Sequence, residues 1–336
     1  MLIRSGKLKS RTAKGGGGGP ALAYSPVVFL MGDSQSLANL SAADQAAAVA
    51  AYGVTDKIKI LNASNQFVTY TPGTIAGLHF GGNVGNVGQE IGIIQKFRAT
   101  YPNDTLYIVK DSFSGSHQTR GIGVGTANVT STGNANITVN SGTLNNGDLI
   151  VGSGIETGVY LPFGGFLSKV GLAGGRTGAA FGPVSATRYA GNASWSNAEG
   201  LCYNGYGGAI NNGVRARLVA ALPLLTNPRI VAVQYNLGTN DALNNVAATY
   251  ATELDAFVAR LGSDVDLSHA VWNLVRWANA GAGASAVRTA LANKASANPS
   301  KFKIIDTDGY TRWDTTHWDL AGQTAIGVAG FANITF

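Results

Sequence analysis

The chain has 336 residues, 45% of them hydrophobic, which is enough for one large domain or two small ones around a packed core. No stretch reaches the ~18 to 20 consecutive apolar residues of a membrane span, and the basic N-terminus runs into "GGGGGP" rather than an apolar segment, so neither a membrane span nor a secretory signal peptide is expected. The net charge of +6 is no argument for nucleic acid, because Arg4, Lys7, Lys9, Arg11 and Lys14 carry five of the positive charges and leave a nearly neutral body with no basic stripe interleaved with aromatics.

Residues 1–24 read as a basic, glycine-rich arm whose flexible linker is Gly15 to Gly19. Such an arm is either a solvated tail or a peptide that orders when it docks on a larger assembly. The first buried strand, residues 27–31, is a short apolar run that stops at Gly32-Asp33-Ser34. A helix pattern follows in "SAADQAAAVAAYG", with Ser41 and Asp44 in capping-box spacing and Gly53 at the close. "GQEIGIIQKFRATYP" carries apolar residues three and four apart and reads as the next helix, before a second strand at 106–109 and the segment "KDSFSGSH".

From about Gly121 to Asn192 the rhythm changes. This stretch is rich in glycine, threonine, asparagine and valine and almost uncharged, with alternation such as "NANITVNSG", so residues 121–193 read as an inserted module of short antiparallel strands. The parallel pattern then resumes over residues 194–336. Helices are predicted in "GVRARLVAALPLL", "AATYATELDAFVARLG" and "ASAVRTALANKA", alternating with strands at 230–235, 270–275 and 302–305. Residues 25–120 and 194–336 therefore make one α/β domain with a five-stranded parallel sheet covered on both faces. Ligands of such sheets bind at the carboxyl ends of the strands.

Four of those strand ends carry chemistry. Ser34 follows the first strand, where a rigid element can hold a nucleophilic hydroxyl. "DTDGYTRWDTTHWDLAGQ" follows the last, and the three-residue spacing of Asp314 and His317 lets a carboxylate engage one imidazole nitrogen while the other faces Ser34. In "YNLGTND" the Asn240 amide can donate to a developing oxyanion. In "KDSFSGSH" Gly115 lets the backbone approach closely and present its N–H, although the glycine-rich "FGGNVG" offers rival donors. Asp33 is expected to tie its loop together, His117 to lie on the surface, and Trp313 and Trp318 either to wall the site or to pack on the core. Cys202 is the only cysteine, and His79, His117, His269 and His317 are scattered without metal-ligand spacing, so no disulfide, metal or cofactor is expected.

Gly32-Asp33-Ser34, Gly115, Gly238-x-Asn240-Asp241 and Asp314-x-x-His317 stand in the order of the four blocks of the SGNH (GDSL-type) hydrolases, which this chain resembles over residues 25–118 and 195–336. The segment "VRTALANKASANPSKFKIIDTDGYTRWDTTHWDLAGQTAIG", with "FGGNVGNVGQEIGI" upstream, is similar to the sialate O-acetylesterase and acetylxylan esterase branch. That branch often has Gly-Gln-Ser-Asn and "QGE" where this chain has Gly-Asp-Ser-Gln and "LGTND". The Gly-x-Ser-x-Gly elbow of α/β-hydrolases is absent. The resemblance implies a flavodoxin-like three-layer α/β/α sandwich. It also implies a catalytic triad of Ser34, Asp314 and His317, and an oxyanion hole formed by the Ser34 and Gly115 N–H groups and the Asn240 side chain.

The implied activity is a serine esterase that removes acetyl groups from a polysaccharide. "ITVNSGTLNNGDLIVGSGIETGVYL" resembles small β modules of phage tail and fibre proteins. Together with the arm, it implies a virion component that is assembled in the bacterial cytoplasm, deacetylates host surface glycan, touches virion structural proteins through residues 1–24, and is compatible with a homo-oligomer. The competing expectations are a non-catalytic decoration protein on the same scaffold and a thioesterase or lipase, which would need an apolar acyl groove.

Overall fold

The computed structural model describes residues 21–32, 43, 46–48, 56–62, 65–70, 87–112, 123–133, 136–143, 149–151, 159–160, 168–169, 181–189, 214–243, 247–277 and 281–336. Its centre is strand β1 (Ser25–Gly32), which is apolar along nearly its whole length. Parallel partners on both sides explain that composition. β11 (Pro228–Asn236) pairs on one flank and β4 (Leu106–Ser112) on the other, and helices cover both faces. Val27, Phe29 and Met31 point into one core with Tyr235, Trp272 and Leu274, while Val28 and Leu30 point into a second with Ile58, Ile60 and Ile108. Alternation along a single strand thus feeds two hydrophobic layers.

β12 (Val271–Arg276) and β13 (Phe302–Asp306) extend the sheet beyond β11, each in parallel. The five strands expected from sequence are all present and consecutive, in the order β13-β12-β11-β1-β4. Two more follow: β2 (Ile58–Leu61) is parallel to β4, and β3 (Phe67–Thr69) closes the edge as an antiparallel strand, for seven in all. Helices α2 (Val214–Ala221), α4 (Tyr250–Asp264) and α5 (Ala284–Ala297) contribute Leu218, Tyr250, Leu254, Phe257, Leu261, Val287 and Leu291 to the first core. Between β11 and α4 lies the short helix α3 (Thr239–Leu243). The second face is covered by α1 (Glu90–Thr100), which buries Ile91, Ile94 and Phe97 there, and by α6 (Leu320–Ala332).

α1 and α6 approach until their backbones touch. A Cβ on Gly92 would lie 2.1 Å from the carbonyl oxygen of Thr324, and one on Gly327 would lie 2.0 Å from that of Gln89. Only glycine fits at this crossing. On the same face Lys110 of β4 and Glu90 of α1 form a buried ion pair. The Lys110 ammonium donates to both carboxylate oxygens at 2.9 and 2.8 Å, and Glu90 Oε1 also accepts from the Tyr70 hydroxyl at 3.1 Å and the Gly88 N–H at 2.8 Å.

Residues 21–24, which the sequence places in the arm, lie against this body. Leu22 N–H donates to Asp104 Oδ1 at 2.8 Å, Asn227 donates to the Ala23 carbonyl at 3.0 Å, and Arg229 stacks over the Tyr24 ring. Leu22 and Tyr24 pack on the second core, so the basic segment reaches the body four residues earlier than composition indicates. The rest of the arm lies outside the described residues.

Between β4 and α2, a second sheet takes the order β6-β5-β10-β7-β8-β9, with every pair antiparallel. Its strands are β5 (Gly123–Gly133), β6 (Asn136–Gly142), β7 (Leu149–Val151), β8 (Val159–Tyr160), β9 (Ser168–Lys169) and β10 (Phe181–Tyr189). Cross-strand amides and hydroxyls lace one pair together, with Asn140 Nδ2 donating to Asn128 Oδ1 at 2.9 Å and Thr130 Oγ1 at 2.7 Å. Among the described residues no helix is long and apolar enough to cross a membrane.

Candidate active site

Parallel pairing brings the carboxyl ends of the central strands to one rim. Gly32 is in register with Asn236 of β11 and Ser112 of β4, Tyr235 with Leu274 of β12, and Arg276 with Asp306 of β13. The loop that leaves β13 carries a carboxylate–imidazole pair. Asp314 Oδ1 accepts from the N–H groups of Thr316 at 2.6 Å and His317 at 2.5 Å, and its Oδ2 lies 2.8 Å from His317 Nδ1. Burial pushes the Asp314 carboxyl up, but the hydrogen bonds from the His317 backbone and ring and from Thr316 N–H outweigh it, leaving the group below the usual carboxylate range. An ionised carboxylate can only accept, so Nδ1–H is the donor. This pair is oriented for general-base work.

The loop is braced from several sides. Trp313 N–H donates to the His317 carbonyl at 3.1 Å, and Arg312 and Trp318 form an isolated antiparallel bridge. Asp319 caps α6 by accepting from Gly322 N–H at 2.8 Å, and it accepts the Thr311 hydroxyl at 2.6 Å. From below, the Trp277 indole N–H reaches the Thr316 carbonyl at 3.3 Å. Arg288 holds the Trp277 carbonyl at 2.7 Å and grips Asp308 through both guanidinium nitrogens at 2.8 and 2.7 Å, which draws the Asp308 carboxyl below its ordinary range. Arg276 pairs with Asp306, and its carbonyl accepts the Thr307 hydroxyl at 2.8 Å.

The turn after β11 is fixed by Gly238, whose φ of +123° suits glycine, and where a Cβ would meet Val287 Cγ1 at 2.6 Å and the Tyr250 hydroxyl at 3.0 Å. Behind this turn, buried Glu253 sits in the first turn of α4 near fully buried Asp241. Burial raises the Glu253 carboxyl to about 7, against the lowering effect of the Thr249 hydroxyl, which donates to it at 2.5 Å, and with a further raising effect from the Asp241 charge. A carboxyl with a raised folded-state pKa binds a proton in the folded chain that the unfolded chain has already lost. Stability is therefore expected to fall as pH rises from 4.5 to about 7 and to level off above. In urea titrations over that range, Glu253→Gln should remove this slope; an unchanged slope would mean that another group is responsible.

Three solved structures share this architecture at low sequence identity. A protein of Arabidopsis thaliana matches at 12% identity and a TM-score of 0.54, over 92% of this chain and 97% of that one. NanS matches at 13% and 0.53, over 92% and 95%. XAC1771, a carbohydrate acetylesterase from Xanthomonas citri, matches at 12% and 0.51, over 91% of this chain and 55% of that one. The chain has the SGNH-hydrolase fold. No protein-family model and no curated protein sequence matches it.

In this SGNH fold Asp314 and His317 meet as the sequence predicts. Ser34 and Gly115 lie outside the described residues, as do Asp33 and His117, though β1 and β4, which precede them, end at the rim. Asn240 falls in α3, directly after that rim, with its side chain outside the described residues. The two tryptophans divide. Trp318 is fully buried in the core, whereas Trp313 is 49% exposed and stacks on the His317 ring. Sequence reasoning misses Trp277 and the Arg288 clamp, because their partners Thr316 and Asp308 are many residues away; the one available signal was an arginine, Arg288, among the apolar positions of a helix. Among the described residues no group of three or more His, Cys, Asp or Glu side chains gathers as a metal site.

Proposed function

We propose that the protein is a serine esterase that removes acetyl or similarly small acyl groups from carbohydrate hydroxyls. The observation that carries the reading is the oriented Asp314–His317 pair, on the loop that follows β13, whose carboxyl end shares a rim with the end of β1 at Gly32; Ser34 comes two residues later in the sequence. In the proposed reaction the Ser34 hydroxyl attacks the ester carbonyl and His317 Nε2 takes its proton. Collapse of the tetrahedral intermediate breaks the bond to the alcohol oxygen, which leaves with that proton. Water then repeats the sequence on the acyl-serine, releasing the carboxylic acid and restoring Ser34. Asp314 steadies the charged imidazole, and the Ser34 and Gly115 N–H groups with the Asn240 amide hold the oxyanion.

A carbohydrate as the alcohol half is favoured by the fold shared with a carbohydrate acetylesterase. The test is acetate release from O-acetylated glycans by the full chain and by Ser34→Ala. Release by the wild type alone supports the reading, whereas equal release by both proteins would place the nucleophile elsewhere. Absence of release from glycans and short esters alike would favour a non-catalytic role on the same scaffold. The resemblance of residues 137–161 to phage β modules supports a place on a virion, attached through the basic arm; co-sedimentation of full-length but not arm-deleted protein with particles is the corresponding measurement.

A further inference from the structure

Trp313 is the one aromatic residue among the exposed large hydrophobic side chains of the described residues. Trp318, five positions on, is fully buried, so this loop is able to bury an indole and leaves the one beside His317 in solvent. An aromatic side chain carries roughly 150–250 Å² of buriable surface, so leaving half of it exposed forgoes a sizeable stabilisation. The indole is also held in place. Its ring centroid lies 5.4 Å from that of His317 at an interplanar angle of 21°, and its backbone N–H is tied to the His317 carbonyl.

We infer that Trp313 is the platform of a sugar subsite, against which the alcohol half of the ester substrate lays the C–H face of a pyranose ring. The geometry assigns the half. Asp314 engages the Nδ1 edge of His317 and the indole lies along a ring face, and in the proposed reaction it is Nε2 that meets the reacting groups. Nε2 must hand its proton to the leaving oxygen, so the group attached to that oxygen passes beside the indole, whereas the acyl group points toward the oxyanion donors. The electron-rich indole face attracts the weakly positive C–H hydrogens of a sugar ring, and it offers no hydrogen bond acceptor to a charged or strongly solvated alcohol. The inference rests on the esterase reading, which its test is designed to separate from it.

The experiment compares kcat and KM of wild type, Trp313→Ala and Trp313→Phe on a panel of mono-O-acetyl methyl glycosides and on ethyl acetate. For Trp313→Ala, KM for the glycosides should rise by at least ~10-fold, and the preference for glycoside over ethyl acetate, taken as a ratio of kcat/KM, should fall by a similar factor, while Trp313→Phe restores most of both. Equal losses in kcat on both substrates with KM unchanged would overturn the inference, since Trp313 would then act only through His317. So would an unchanged preference. Should wild type hydrolyse neither substrate, the esterase reading fails by itself, and magnetisation transfer from the full chain to the free methyl glycosides decides the subsite. Transfer that is present in wild type and lost in Trp313→Ala supports the platform; its absence in wild type overturns it.

Discussion

Replacing His317 by alanine is expected to lower kcat on short acetate esters by about 10⁴-fold or more while leaving the fold intact. The size follows from the division of labour in the pair. In the proposed reaction the imidazole takes the serine proton and returns it to the leaving oxygen, and Asp314, held below the usual carboxylate range with Oδ1 engaged by two backbone N–H groups, is too weak a base to replace it. Retention of the fold follows from how the loop is held. Asp314 Oδ1 grips the backbone N–H groups of residues 316 and 317, and Asp319, Thr311 and the Trp277 indole brace the flanks. None of these contacts uses the imidazole. Steady-state kinetics on nitrophenyl acetate, with thermal melting followed by circular dichroism, reads both halves. A variant within tenfold of wild type would remove His317 from the chemistry, and a large fall in melting temperature would assign it a structural role instead.

Lys110→Met is expected to cost ~3–5 kcal/mol of stability. The ammonium and the Glu90 carboxylate are almost wholly removed from solvent, so deleting one charge strands the other. The Tyr70 hydroxyl and Gly88 N–H still satisfy one Glu90 oxygen, which limits the damage without removing it. In the double variant Glu90→Gln/Lys110→Met this pair buries no charge, and the amide oxygen can accept from both the Tyr70 hydroxyl and the Gly88 N–H as Glu90 Oε1 does. Its loss should therefore be well below that of Lys110→Met alone. Urea denaturation of the three proteins measures this, and a single-variant loss under ~1 kcal/mol would show that Glu90 finds water or another partner.

That ion pair also shows where a sequence stops being readable. The strand before "KDSFSGSH" reads as ending at Val109 because a lysine in a strand buried on both faces looks like a boundary; β4 in fact runs to Ser112. The compensating carboxylate lies twenty positions upstream on α1, at a distance no local pattern encodes. β2 and the edge strand β3 are short, and a lysine or a threonine interrupts or ends the apolar pattern, as in "IKIL" and "FVT". α6, "LAGQTAIGVAGFA", is hard to read as a helix because glycines in a helix interior argue against one, yet Gly327 is there because α1 leaves no room for a Cβ. The five long strands were legible for the opposite reason: burial on both faces writes a continuous apolar run. At the site, Asp314 and His317 were visible because their spacing is local. The clamp of Arg288 on Asp308 and the support of Trp277 were not, since each joins elements brought together by the sheet alone.

The glycine crossing of α1 and α6 has a consequence for biogenesis. α1 is made early and α6 more than two hundred residues later, yet together they cover the same side of the sheet. While a ribosome is still adding the intervening residues, the greasy underside of β1, β4 and β2 has only half its cover. Nascent chains short of residue 320 are therefore expected to leave that apolar face partly open until α6 emerges and settles against α1.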